Sequence, residues 1–181
     1  NLRKQKILIN QNNLLIAENI CLILPIHKLI DEINEEARGN NLIGTTKKGI
    51  GPAYEDKVGR RAIRVCDLYN KITREIQLKA AISHHNIILK GLNKKPIKLA
   101  NINKILNKIA PILKPFVTNT MELIISANNK NKNILFEGAQ GSMLDIDHGT
   151  YPFVTSSNTV SSQSATGSGI GPSLINNVLG I

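Results

Sequence analysis

The chain has 181 residues, 41% hydrophobic and 20% charged, the balance of one globular domain with a sizeable core. Its 23 basic and 13 acidic side chains leave a net charge of +10, but aromatics are only 3%, so a stacking platform for single-stranded nucleic acid is poorly supplied. No uncharged apolar run is long enough to cross a bilayer.

The excess of Lys goes with heavy use of Asn and Ile, a compositional bias rather than a basic patch. The lysines of 90–108 alternate with Leu and Ile as on a solvated helix face. Neither nucleic acid nor membrane is therefore an expected partner. Cys21 and Cys66 have no C-x-x-C spacing and read as small buried hydrophobes in a reducing compartment. Asn1 is not a start methionine and Leu179-Gly180-Ile181 ends without a cap, so both ends are expected to belong to a longer chain.

In chain order, 13–17 suits a short strand. Pro25 suits a first helical position, Ile26, Leu29, Ile30, Ile33 and Ala37 follow at helical spacing, and Gly39 suits the stop. Residues 40–70, with Gly44, Gly49, Gly51 and many charges, read as a binding loop or mobile segment. Were 57–64 helical, Arg60 and Arg64 would share a face. A helix is predicted over 72–89 on Ile72, Ile76, Ala80 and Ile87, broken between Gly91 and Pro96. Ile102, Ile105, Leu106 and Ile109 predict another, ending near Pro111; Phe116, Thr120, Leu123, Ile124 and Ala127 predict a third. After a turn at 128–131, Ile134 to Phe136 reads as a buried strand.

That strand runs into the most informative stretch, 134–172. Gly138-Ala139-Gln140-Gly141 is followed by Asp145, Asp147 and His148, then a long hydroxyl run. Such a loop after a strand is how α/β enzymes surround a phosphorylated ligand. The segment Gly44-Thr45-Thr46-Lys47-Lys48-Gly49 resembles a phosphate loop, but Ile50 stands where a Walker A loop needs Lys. The 145–156 spacing does not fit a calcium loop, and no G-x-S-x-G occurs. His148 reads as a hydrogen-bonded structural histidine. Gly167 to Pro172 is a tight glycine turn and not a dinucleotide fingerprint.

Three blocks in this order, GTTKKGIGPAYEDKVGRRAIRVCDL (44–68), FEGAQGSMLDIDHGTYPFVTSSNT (136–159) and ATGSGIGP (165–172), resemble the adenylosuccinate synthetases, and LILPIH (22–27) adds to them. The resemblance implies an α/β fold, a P-loop-NTPase-related parallel sheet with a helical insertion, of which residues 1–181 are the central part of a single domain. It implies GTP-dependent ligation of IMP and L-aspartate to adenylosuccinate, in the cytoplasm, by a homodimer assisted by Mg2+. By position it places Thr46 and Thr155 on the IMP phosphate, Gln140 near the reacting position of the base, and Arg60 at the partner subunit's IMP. It places the catalytic Asp and His, the magnesium ligands and the GTP loop upstream of Asn1, and no catalytic residue or metal ligand within 1–181. Aspartate and guanine contacts are implied beyond Ile181. Val160 to Ser164 departs from a stretch that usually contains glycine. The alternative expectation is a non-catalytic, nucleotide-phosphate-binding remnant of that enzyme.

Overall fold

The computed structural model describes residues 2–40 and 43–180. Two short strands, β1 (Ile16–Ala17) and β2 (Val117–Thr118), pair in parallel, with Ile16 opposite Val117 and Ala17 opposite Thr118. A parallel pair needs a crossover. Here the crossover holds four helices: α1 (Pro25–Ala37), α2 (Ile50–Val58), α3 (Lys71–Gly91) and α4 (Leu99–Leu113). Helices α5 (Thr120–Asn129) and α6 (Gln163–Ser168) follow. The fold is α/β, with a small parallel sheet and a large helical insertion.

Helix α1 starts where the sequence allows it. Pro25 is at the first helical position, where a missing N–H costs nothing. The Leu24 N–H donates to Nδ1 of His27 at 3.0 Å, the back-reaching bond that Glu makes in a capping box. Gly39, at φ 56°, follows the C-cap Arg38 in the left-handed conformation that ends helices. Ile26, Ile30 and Ile33 are buried in the main core with Leu78 of α3 and Ile102 and Leu106 of α4. Ala37 is exposed.

Several sequence expectations need correction. Within 40–70, helix α2 forms and Ile63 and Val65 are fully buried, so half of this stretch is framework and not loop. Asn41 and Leu42 lie outside the described residues. Helix α2 ends at Val58, so Arg60 and Arg64 share no helix face; Arg64 instead bridges Cys21. Helix α3 forms as predicted but turns the other way. Ile72, Ile76 and Ile87 are 75%, 64% and 74% exposed, while Leu78, Ala81, Ile82 and Leu89 face the core. Helix α4 continues through Pro111 to Leu113, and Phe116 precedes β2 outside α5. Ile134 to Phe136 forms no strand among the described residues, and Leu135 is 88% exposed. A strand needs a neighbour to take its ladder bonds, and among the described residues no backbone hydrogen bond reaches 134–136. Cys21 is half-buried and Cys66 exposed, so neither is a core hydrophobe.

Candidate phosphate-binding site

The loop from Gly44 to Gly49 turns sharply. Gly44, Lys47 and Gly49 have φ of 81°, 53° and 82°. Three of its amides are bonded to the protein itself and not offered outward as in a phosphate loop. The Gly44 N–H donates to Oε1 of Glu35 at 2.7 Å, and the Thr45 N–H to the same oxygen at 3.4 Å. The Gly49 N–H donates to Oδ2 of Asp31 at 2.8 Å. Both carboxylates are buried on α1. With these amides engaged, the loop offers side chains to an anion: Thr46, Lys47 and Lys48 are all exposed.

Beneath the loop, Asp56 of α2 joins three elements. Its Oδ2 accepts from Nε2–H of His27 at 3.0 Å and of His85 at 2.8 Å, and its Oδ1 accepts from Nε–H of Arg61 at 3.1 Å. Asp56, His27 and His85 are all but fully buried. Burial alone would raise the Asp56 pKa. The hydrogen bonds from His27 and His85 outweigh it and hold the carboxyl well below its usual range.

Two imidazoles and a carboxylate can also ligate a metal, and among the described residues these three form the single convergent cluster of that kind. The hydrogen bonds argue against it. Nδ1 of His27 accepts a backbone N–H, so its proton sits on Nε2, and that nitrogen has no lone pair for a metal. Magnesium prefers an octahedral oxygen site that keeps water, and this sealed, nitrogen-rich pocket does not fit it.

The 138–160 segment is assembled around Asp145, which is fully buried. Its Oδ1 accepts from the N–H groups of Asp147 and His148, both at 3.0 Å. Its Oδ2 accepts from the N–H groups of Thr159 at 2.6 Å and Val160 at 3.2 Å. Burial opposes its ionisation, but these bonds prevail and its pKa is strongly depressed. The oxygens are thereby occupied, which also disfavours a cation. His148 takes part through its backbone, while its residue is exposed, which corrects the expectation of a structural imidazole. Gly149 passes so close that a Cβ would lie 2.5 Å from the Asp145 carbonyl oxygen.

This framework brings two of the four predicted site residues together. Nε2 of Gln140 lies 3.5 Å from Oγ1 of Thr155. The Thr155 N–H is held by the Leu144 carbonyl at 2.8 Å. Next door, a Cβ on Gly51 would meet Oγ of Ser156 at 3.2 Å, so the first turn of α2 abuts the hydroxyl run. Arg60 stands apart. It follows the far end of α2, roughly 13 Å of helix away from that first turn, and is exposed, with a left-handed φ of 59°. Gln140 shares this unusual backbone, at φ 67°. Such conformations in non-glycine residues are uncommon and recur at ligand sites.

Sequence reasoning missed Asp31, Glu35, Asp56 and His85, and singled out Asp145 without its role as the centre of the 138–160 segment. A signal existed for α1: His27, Asp31 and Glu35 recur every fourth residue beside the apolar stripe.

The chain is similar to a fully ligated adenylosuccinate synthetase from Plasmodium falciparum at 30% identity and a TM-score of 0.82, over 92% of this chain and 39% of that one. It thus spans about two-fifths of that protein's length. Over all of residues 1–181 it also matches the sequence family described as adenylosuccinate synthetase. With the loop, the Asp56 cluster and the Asp145-centred segment in one framework, the chain belongs to the adenylosuccinate synthetase family.

Proposed function

We propose that residues 1–181 are the central, IMP-binding part of a single-domain ligase that joins IMP to L-aspartate at the expense of GTP. The observation that carries this reading is the approach of Gln140 to Thr155 beside the first turn of α2. There, hydroxyls of Thr46 and Thr155 would donate to the phosphate of IMP, and the Gln140 amide would address the base. Arg60, away from this cluster, would reach the IMP of the partner subunit in a homodimer. A planar guanidinium suits the oxygens of a dianion.

In the reaction, the terminal phosphoryl group of GTP passes to the carbonyl oxygen of the IMP base, and GDP departs. The amine of aspartate then attacks the base carbon, loses a proton and expels phosphate. The oxygen is a poor leaving group until phosphorylated, so the enzyme's task is largely positioning. The role of residues 1–181 is to hold IMP still. The GTP loop, the catalytic Asp and His and the magnesium ligands are assigned to chain outside these residues, in a cytoplasmic enzyme.

The test is the native protein, of measured intact mass, assayed with IMP, L-aspartate, GTP and Mg2+. Adenylosuccinate should form, and Arg60→Leu should raise the KM for IMP by about tenfold or more. IMP binding with no product would instead support a non-catalytic remnant. Unchanged KM in Arg60→Leu would remove Arg60 from the site.

A further inference from the structure

We infer that Glu35 and Asp31 of α1 are positioning residues for the phosphate end of IMP, acting through the 44–49 loop on Thr46. The inference rests on the function proposed above for Thr46. His27, Asp31 and Glu35 are successive fourth residues, so they form one line along α1. All are buried, at 1%, 7% and 3% exposure. Each grips a different point of the 44–61 segment. Glu35 takes the Gly44 and Thr45 N–H groups, Asp31 takes the Gly49 N–H, and His27 takes Asp56.

A buried carboxylate is costly unless hydrogen-bonded, and each of these accepts one short charge-assisted bond from a main-chain donor, Gly44 to Glu35 and Gly49 to Asp31. The consequence is specific. The Gly44, Thr45 and Gly49 amides, on either side of Thr46, are committed to the protein's own carboxylates. While those bonds hold, these three amides are not offered to a phosphate. Recognition falls to side chains, and the carboxylates fix where the Thr46 side chain stands. Gly44, Lys47 and Gly49 all hold left-handed backbone in the loop that these carboxylates tie to α1, so its course rests on the Glu35 and Asp31 bonds.

The experiment is a double-mutant cycle in the native protein, read as steady-state KM for each substrate and kcat. Thr46→Ala alone checks the underlying reading: if it leaves the KM for IMP unchanged, the assignment of Thr46 falls. Given an effect there, Glu35→Ala should raise the KM for IMP by about tenfold. It should leave kcat and the KM values for GTP and aspartate within about twofold. Glu35→Gln keeps an acceptor oxygen at the same reach and should restore most of the loss. In the Thr46→Ala background, Glu35→Ala should add little.

Unchanged KM for IMP in Glu35→Ala, or full additivity with Thr46→Ala, overturns the inference. So does an equal loss of kcat and of every substrate's affinity. Should Glu35→Ala not fold, Glu35→Asp withdraws the acceptor by one methylene while keeping the charge. It should still raise the KM for IMP selectively, and an unchanged value overturns the inference.

Discussion

Gly49 lies against the backbone of His27: a Cβ at this glycine would sit 2.8 Å from the His27 carbonyl carbon and 2.7 Å from the Lys28 nitrogen. The glycine also holds φ 82°. Only a residue without a side chain lets the loop come this close to α1 and donate its N–H to Asp31. Gly49→Ala is expected to cost about 2–4 kcal/mol, from a disallowed contact together with a strained backbone. Chemical denaturation of the variant and the parent protein checks this. Equal midpoints and slopes would mean that the loop does not pack as described.

Asp56 accepts from three donors, two of them on fully buried rings. Asp56→Ala leaves those donors without an acceptor. The expected loss is on the order of 3–5 kcal/mol, in line with breaking a buried charged network. Added Zn2+ should not stabilise the parent protein at this cluster, because the His27 tautomer denies it a ligand. A Zn2+-dependent rise in Tm that disappears in His85→Ala would contradict that assignment.

Acid should weaken the fold through Asp56 and Asp145. Both have folded-state pKa values below those of the unfolded chain. The unfolded state therefore binds more protons in the acid range, and stability rises with pH there. This contribution is complete above the ordinary carboxylate value of about 4 and is lost as pH falls below it. Urea titrations from pH 6 downward should show a steep decline below about pH 4. In Asp145→Asn, less stable at neutral pH, that decline should be shallower. An identical pH profile would mean that Asp145 is not ionised in the fold.

The start and stop of α1 were legible because Pro25 and Gly39 act locally. The inward face of α3 was not. Its apolar residues in register, Ile72, Ile76 and Ile87, point outward, and the buried side includes Arg74 and His85. Arg74 is tolerated inside because it donates to the Leu68 carbonyl and to Oδ1 of Asn107. Hydrophobic periodicity cannot anticipate a core face that carries polar side chains held by hydrogen bonds from other elements. His85 and Asp56 meet across 29 residues, with no local pattern to announce it. Of the site, Gln140 and Thr155 were placed by family resemblance and stand together, whereas the same resemblance said nothing of the carboxylates that fix the loop.

The stretch from 133 to 140, without regular secondary structure, has no backbone hydrogen bonds among the described residues. Its amides should therefore take up deuterium near the rate of a free peptide, while those of α3 exchange far more slowly. Isotope exchange followed by mass spectrometry would thus separate a quiet helical half from a fast ribbon. A strand docking beside Ile134 to Phe136 would announce itself as slowed exchange at the amides it bonds, alternate ones along the ribbon.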